Sequence, residues 1–213
     1  MARWEPDARG RLEVAAMELF QERGYDRTTV LDIAARAGLT ERTFFRYFAD
    51  KREVLFSGSK ELEKGIVDRI ERTPEGTSPL DAVAAAFEGA AVELQDRRDL
   101  RFVRARYALV VEHAEIQERE LIKLAAMGAA VTKALHARGV SEPAASLAAE
   151  AGLAVFKIGF ERWVSGKKPH DFAAQIRGAL VALKAVAAEG SAPPMPARLP
   201  ARLPAKRRAT RRA

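Results

Sequence analysis

The 213-residue sequence predicts an all-α protein: a small amino-terminal helical domain, a larger helical domain and a basic tail. Alanine is abundant while Val, Ile and Thr are sparse, and no segment alternates apolar and polar residues with a period of two. About half of the residues (48%) are apolar, which is enough for a buried core in one or two domains. We expect domain boundaries at residues 1–55, 56–189 and 190–213.

Residues 28–48 have the pattern of a helix-turn-helix unit. Thr29 can cap the first helix, with Asp32 placed to return a hydrogen bond to the cap residue. Gly38 lies where a residue with positive φ ends that helix, and Thr40 can cap the next one. In a helix-turn-helix unit the second helix enters the major groove of DNA. The first domain is therefore predicted to bind DNA.

Further landmarks surround this unit over some forty residues, namely Ala15-Ala16, Leu19-Phe20, Gly24-Tyr25, Thr28-Thr29-Val30, Ile33-Ala34, Ala37-Gly38, Thr43-Phe44, Tyr47-Phe48 and Lys51. With them, the stretch from about Val14 to Leu55 resembles the amino-terminal domain of the TetR/AcrR family of transcriptional regulators. The resemblance implies a homodimer that binds a palindromic double-stranded operator. It also implies a repressor, released by a small hydrophobic effector and needing no cofactor.

The second helix of the helix-turn-helix unit, which we call the reading helix, supplies the main candidates for base contact. Arg42 can pair bidentately with guanine, and Glu41 can accept a hydrogen bond from a cytosine amino group. Glu41 can equally serve to compensate the helix dipole. The resemblance adds base- and phosphate-contacting positions one turn later and at the start of the fourth helix. The full candidate set is Thr29, Thr40, Glu41, Arg42, Thr43, Arg46, Tyr47 and Lys51.

The reading helix departs from the family pattern at Phe45, where relatives usually carry a tyrosine whose hydroxyl touches phosphate. Because phenylalanine cannot make that hydrogen bond, we expect Phe45 to pack. Phe44 and Phe48 are expected to belong to the core.

The remaining helices are predicted from apolar periodicity and from Gly, Pro and capping signals. The first helix should start near Pro6-Asp7 and close at Gly24. The fourth should start after Asp50 and run from Lys51 to about Arg72. The later ones should cover about 79–96, 99–112, 115–138, 142–165 and 170–188.

The last two of these helices are apolar around most of their girth, so they need partners on several sides. The resemblance implies that they form a four-helix homodimer interface, whereas an ordinary monomer core remains the alternative. The resemblance also implies a ligand pocket in residues 56–189. The candidates for its lining are Phe87, Phe102, Tyr107, Phe156 and Phe160, each of which could instead be ordinary core.

The net charge of +7 comes entirely from the tail, because residues 190–213 hold seven basic and no acidic side chains. Prolines and like charges predict that this tail is disordered, and it either has no task or attracts phosphate without sequence preference. DNA binding by the folded part is therefore inferred from the motif. A second hypothesis is a ligand-independent DNA-organising protein that relies on the tail.

Other classes of protein find little support in the sequence. The three histidines (His113, His136 and His170) form no metal-ligand pair at helical spacing, and no nucleophile elbow or phosphate-binding loop occurs. We therefore expect neither an enzyme nor a metal site; a helical carrier or enzyme with a vestigial DNA-binding domain is the third hypothesis. There is no cysteine, no membrane-spanning apolar run and no signal-peptide core, so a bacterial cytoplasmic, nucleoid-associated location is expected.

Overall fold

The computed structural model describes residues 7–166 and 171–189. Over these residues the chain forms nine α-helices and one 3₁₀ helix, with no strand, which confirms the all-α prediction. The elements are α1 (Ala8–Arg23), α2 (Val30–Arg36), α3 (Glu41–Tyr47), the 3₁₀ helix (Glu53–Phe56), α4 (Ser59–Glu71), α5 (Pro79–Arg97), α6 (Leu100–Glu112), α7 (Ala114–Ala137), α8 (Ala144–Ser165) and α9 (Phe172–Glu189).

We call α1, α2, α3 and the 3₁₀ helix the head. Its core contains the apolar stripe of α1 together with Tyr25, Ile33, Phe44 and Phe48. The same cluster includes three residues from the corner between α6 and α7, Leu109, Val110 and Ile116. The head therefore packs on this corner, so its position depends on α6 and α7 as well as on the chain connection to α4.

We call α4 to α9 the body. It has its own hydrophobic core, to which α4, α5, α7, α8 and α9 contribute. Two glycines of α8 allow close approach of its neighbours. A Cβ on Gly152 would overlap the Val83 side chain of α5, and one on Gly159 would lie 3.0 Å from the backbone nitrogen of Ile176 in α9.

The prediction of one continuous fourth helix from Lys51 to Arg72 is wrong. The chain forms the 3₁₀ helix first, breaks at Ser57-Gly58 and restarts as α4 at Ser59. Val54, Leu55 and Phe56 are all buried, although three consecutive side chains would point in directions some 200° apart around an α-helix. Gly58 then turns the chain with a φ of 85°, a conformation that favours glycine.

The other helix predictions agree with the structure to within about two residues. Asp7 caps α1, and Gly24 ends it with a φ of 82°. Asp50 was expected to cap the fourth helix; its carboxylate instead accepts from the backbone nitrogens of Arg52 and Glu53 at the 3₁₀ helix. His170 and the basic tail of residues 190–213 lie outside the described residues.

Candidate DNA-binding surface

The first helix of the helix-turn-helix unit begins with the predicted capping box. The Thr29 hydroxyl oxygen accepts from the backbone nitrogen of Asp32 at 3.1 Å, and the Asp32 carboxylate accepts from the backbone nitrogen of Thr29 at 3.0 Å. The hydrogen bond from the Thr29 hydroxyl, followed by that from its backbone, holds the pKa of Asp32 below its ordinary value. An ionised carboxylate is thus fixed in the first turn of α2, where the helix dipole favours it.

The turn that follows has the expected glycine geometry. Gly38 has a φ of 67°, and the backbone nitrogen of Leu39 donates to the carbonyl of Ala34 at 2.8 Å. Thr40 then caps α3 by accepting from the backbone nitrogen of Thr43 at 3.2 Å. The structure therefore confirms the predicted capping roles of both threonines, and the caps fix where α3 begins relative to α2.

The reading helix α3 buries one side and exposes the other. Phe44 and Phe48 are buried in the head core, as predicted. Glu41 and Arg42 are exposed, and neither side chain has a hydrogen bond or ion pair within the described part of the chain. Thr43 is half-buried beside them. Two charged groups at the start of α3 are thus available to a partner.

The structure corrects the expectation for Phe45. Its side chain is 56% exposed, and its ring meets Phe44 edge to face with the centroids 5.5 Å apart. Phe45 therefore lies on the outer surface of α3 and does not fill the core. The sequence alone predicts packing here because an aromatic residue close to two core phenylalanines resembles a third core position.

The end of α3 carries the other two exposed candidates. The guanidinium of Arg46 lies 4.9 Å from the centroid of the Tyr47 ring and donates to the Tyr47 hydroxyl at 3.0 Å. A cation over an aromatic face is attracted by the ring quadrupole, so the two side chains hold one another in place. They present a positive charge and a hydroxyl at the end of α3.

Lys51 already has partners inside the head. Its ammonium donates to the carbonyls of Tyr25 at 2.8 Å and Thr28 at 3.1 Å, and it lies 4.1 Å from the centroid of the Tyr25 ring. Lys51 therefore braces the loop between α1 and α2. A phosphate contact by Lys51 stays a prediction.

A set of charged side chains joins the head to the body. The Glu53 carboxylate accepts from Arg119 and, at 3.3 Å, from Lys123, both on α7. Burial opposes ionisation of Glu53, but these hydrogen bonds outweigh it and hold the pKa of the carboxyl below its ordinary value. Arg106 of α6 donates to the carbonyl of Leu55 at 2.8 Å. We call these four side chains, Glu53, Arg106, Arg119 and Lys123, the junction clamp.

The clamp borders a cleft of about 630 Å³ between the head, the start of α4 and α7. Arg46 and Tyr47 line its head side, and Glu115, Glu118 and Ile122 line its α7 side. Local sequence patterns do not predict this junction, because its partners are more than fifty residues apart in the chain.

The candidate ligand-binding aromatics fall into two groups. Phe87, Tyr107, Phe156 and Phe160 come together between α5, α6 and α8; the Phe87 and Phe156 centroids are 4.9 Å apart, and those of Tyr107 and Phe160 are 5.6 Å apart. Phe102 lies apart from them, against the head core and 4.9 Å from the Arg98 guanidinium. Phe102 is thus not part of the group that the other four form, and a ligand contact by any of the five stays a prediction.

Two aromatic residues that were not predicted complete the group in the body. The Trp163 and Phe172 rings stack with centroids 4.6 Å apart, and Phe172 lies 5.8 Å from Phe160. We call Phe87, Tyr107, Phe156, Phe160, Trp163 and Phe172 the aromatic cluster. Phe172 is the first residue of α9. The helix break that follows α8 is the sequence signal that could have indicated it.

The outer faces of α8 and α9 expose apolar residues at helical spacing. On α8 these are Leu147, Ala154 and Ile158, and on α9 they are Gly178, Val181, Ala182, Ala185 and Val186. The two helices pack directly on each other at Gly159. Exposed apolar residues at helical spacing are typical of surfaces that contact another molecule.

Neither a metal centre nor a membrane span is found in the described part of the chain. No group of three or more His, Asp or Glu residues within residues 7–166 and 171–189 could hold a metal ion. None of the helices over these ranges has the length and apolarity needed to cross a bilayer.

These features define a helix-turn-helix protein with a second, all-helical domain, and comparison with known proteins gives its family. Residues 14–57 match the family described as bacterial regulatory proteins, tetR family. The regulator TcmR of Streptomyces glaucescens, described as an HTH-type transcriptional regulator, is 37% identical over 81 residues, 38% of this chain and 36% of TcmR. The amino-terminal part of the chain therefore matches the DNA-binding domain of the TetR family of transcriptional regulators. The match spans little more than a third of the length of TcmR.

Two solved structures extend the likeness to the body. The Thermus thermophilus repressor FadR, in complex with lauroyl-CoA, superposes with a TM-score of 0.52 at 22% identity, over 83% of this chain and 93% of FadR. SmeT from Stenotrophomonas maltophilia, in complex with triclosan, has a TM-score of 0.58 at 21% identity, over 84% of this chain and 90% of SmeT. At these identities the likeness concerns the fold.

Proposed function

We propose that the protein is a sequence-specific DNA-binding transcriptional regulator, a homodimer that represses from a palindromic operator on the bacterial nucleoid. The observation that carries the proposal is the exposed side of α3, where Glu41 and Arg42 have no partner in the described chain. The two capped helices hold this side in a fixed orientation on the head.

The reading helix offers a division between base and phosphate contacts. Arg42 suits the two acceptors of a guanine edge, while Glu41 and Thr43 suit the cytosine amino group and other base edges. Arg46 and Tyr47, coupled to each other at the end of α3, suit the phosphate backbone. Lys51 adds positive charge nearby and braces the loop that precedes Thr29.

The proposed dimer uses the outer faces of α8 and α9. Pairing them with a second copy would cover the apolar residues that each chain leaves exposed. A twofold dimer presents two reading helices to one duplex, and they reach successive major grooves when they are about 34–36 Å apart or a multiple of that distance. A palindromic operator follows from this symmetry.

The proposed effector binds within the body at the aromatic cluster. Tyr107 provides a polar group at its edge, where burial and then the nearby charge of Glu161 raise the pKa of the phenol above its ordinary value. A hydrophobic molecule with one polar group matches this lining. A ligand that favours a different separation of the heads would weaken DNA binding, with a coupling of about 1–3 kcal/mol.

The alternative proposal is a ligand-independent DNA-organising protein in which residues 190–213 supply most of the affinity. That segment lies outside the described residues, and its seven positive charges come from the sequence. Binding of this kind shows little sequence preference and falls steeply with salt.

Binding to the DNA that flanks the gene, compared with scrambled DNA, separates the two proposals. We expect the full-length protein and a truncated protein ending at Glu189 to prefer the native sequence by about 10³ or more. Arg42→Ala and Thr43→Ala should remove most of this preference. Arg101→Ala, which deletes an exposed arginine on α6 far along the chain from α3, is the matched control and should bind like the wild type.

Each result has a defined meaning. If binding disappears with the tail and never depends on sequence, the DNA-organising protein is correct. If no preference is found at the native flank, a selection from random sequences decides whether any operator exists. A chain without preference in that selection is not a specific regulator.

The effector part of the proposal has a separate test. Lauroyl-CoA and triclosan, the molecules bound by the two structural relatives, serve as probes of two hydrophobic shapes. We expect at least one of them to release the protein from its operator, and Phe160→Ala to change the concentration required. Release that is unchanged by Phe160→Ala would place the effector outside the aromatic cluster.

A further inference from the structure

Phe45 is an exposed aromatic side chain in the middle of the surface proposed to meet DNA. Its side chain is 56% exposed, whereas the two nearby phenylalanines, Phe44 and Phe48, are buried. Single exposed apolar side chains are common on protein surfaces, so the meaning of this one depends on the residues that surround it. Its ring contacts Phe44 at one edge, and more than half of the side chain remains open to a partner outside the chain.

The neighbours of Phe45 on the helix surface identify the partner. Residues three and four positions apart lie side by side on a helix, so Phe45 adjoins Glu41 and Arg42, the two proposed base-reading residues. Side chains in an α-helix also lean toward its amino terminus, which carries the Phe45 ring toward the turn that holds these two residues. The ring thus lies where base edges would lie.

The chemistry of the ring restricts what it can recognise. Phenylalanine has no hydroxyl, so it cannot donate a hydrogen bond to a phosphate or to a base acceptor. The apolar group that the major groove offers is the C5-methyl of thymine. The edge-to-face contact with Phe44 ties the ring to a core residue, so less conformational freedom is lost when it meets a methyl group.

We propose that Phe45 is a specificity-determining residue that reads a thymine methyl group in each half of the operator. The inference rests on the proposed function, since it requires that α3 enters the major groove. It goes beyond that function by predicting one feature of the operator: a thymine whose methyl group contributes to affinity through this side chain alone.

The test replaces single thymines of the operator by deoxyuracil, which removes the methyl group and leaves the base-pair hydrogen bonds unchanged. The operator is taken from a random-sequence selection with the full-length protein. At one thymine per half-site we expect the substitution to weaken wild-type binding about three- to fivefold, as expected for burying one methyl-sized group. For Phe45→Ala the same substitution should change the affinity less than about 1.5-fold, because the contact is already lost.

Leu31→Ala is the matched control, since Leu31 is also a large apolar side chain exposed on the head, 60% exposed and on α2. This variant should keep the full sensitivity to deoxyuracil. Because both side chains are exposed, neither truncation is expected to unfold the head.

The failures of the two proposals can be told apart. If the wild type selects an operator but no thymine shows a methyl effect that Phe45→Ala abolishes, the assignment of Phe45 is overturned while the regulator proposal stands. An equal methyl effect in the wild type and in Phe45→Ala overturns it as well. If the wild type selects no sequence at all, the proposed function fails and this inference fails with it.

Discussion

Single hydrogen bonds determine where the two helices of the helix-turn-helix unit begin. Thr29 and Thr40 each satisfy a backbone nitrogen that would otherwise have no partner at a helix start. Both bonds are local, between residues three apart, and so they could be predicted from the residue types alone. The angle between α2 and α3 depends on them.

Replacing Thr29 by alanine should lower the free energy of unfolding by about 1 kcal/mol, the usual cost of losing an N-cap hydrogen bond. Thr29→Ser keeps the hydroxyl and should stay close to the wild type. Urea unfolding monitored by circular dichroism measures both. Equal stability of the alanine and serine variants would show that the capping box contributes nothing.

The cap also has a pH signature. The pKa of Asp32 is lower in the folded protein than in the unfolded chain, so its contribution is present above its ordinary pKa of 3.8 and is lost as the pH falls below that value. In Thr29→Ala the hydroxyl that bonds to the Asp32 carboxylate is absent. The pKa of Asp32, followed by NMR titration, should therefore rise in this variant; an unchanged pKa would contradict the assignment.

Other residues behave differently from what their type and neighbours suggest. Lys51 matches a phosphate-binding position, yet its ammonium bonds to carbonyls of a loop more than twenty residues earlier. Phe102 is a candidate for the lining of the ligand pocket, yet it packs against the head core. In both cases the deciding partner is distant in sequence, and local patterns carry no information about it.

At the scale of elements, the connection between head and body differs most from expectation. A single helix would hold the head rigidly, whereas the structure has a 3₁₀ helix, a break at Ser57-Gly58 and then α4. The break accompanies burial of three successive side chains against the head core, which includes residues of α6 and α7. The orientation of the head is thus maintained by packing and by the junction clamp.

Glu53→Gln should weaken the clamp and lower the free energy of unfolding by about 1–2 kcal/mol at neutral pH, as expected for charged hydrogen bonds that are partly exposed. The folded-state pKa of Glu53 lies below its ordinary value of 4.5. The stabilisation is therefore complete well above pH 4.5 and is lost as the pH falls through and below that value. The difference between wild type and variant should shrink accordingly.

Urea unfolding at a series of pH values measures this difference. Glu118→Gln is the matched control, because Glu118 lines the same cleft on α7 but is exposed and has no ion pair within the described residues. It should leave stability nearly unchanged. A Glu53→Gln effect that is independent of pH would mean that Glu53 acts through packing alone.

The contact between α5 and α8 requires a glycine. Gly152→Ala should lower stability by about 1–3 kcal/mol, because the added methyl group overlaps the Val83 side chain. Val83→Ala makes room for that methyl group. The double variant should therefore lose less stability than the two single variants lose together, and strict additivity in urea unfolding would argue against the overlap.

At the scale of the whole molecule, the outer faces of α8 and α9 expose apolar side chains to solvent. Val181→Glu places a charge on the α9 face, where the native side chain is 68% exposed. We expect the variant to be monomeric by light scattering coupled to size exclusion, because burying an unpaired charge in an interface is costly. Its operator affinity should fall as well.

Val111→Glu provides the control, since Val111 is similarly exposed but lies on α6. It should remain dimeric. Dissociation by Val111→Glu together with a stable Val181→Glu dimer would move the interface away from α8 and α9.

The helices and the reading surface were predictable, while the way they are assembled was not. Caps, glycine turns and apolar periodicity act within one or two helical turns, so α1 to α3 and α5 to α9 could be placed from the sequence. The junction clamp joins Glu53 to residues 66 and 70 positions later, and the aromatic cluster joins residues from four helices. Contacts at such separations are set by the packed fold as a whole.

Because the chain breaks at Ser57-Gly58, the orientation of the head is not fixed by the direction of α4, as it would be in one continuous helix. The direction in which the head points depends on its packing against α6 and α7 and on the junction clamp. In the proposed dimer, the distance between the two heads would depend on the helices through which the copies pair. Exchanging charges in the clamp would therefore reorient the heads in related chains, while the pairing helices and both hydrophobic interiors stay unchanged.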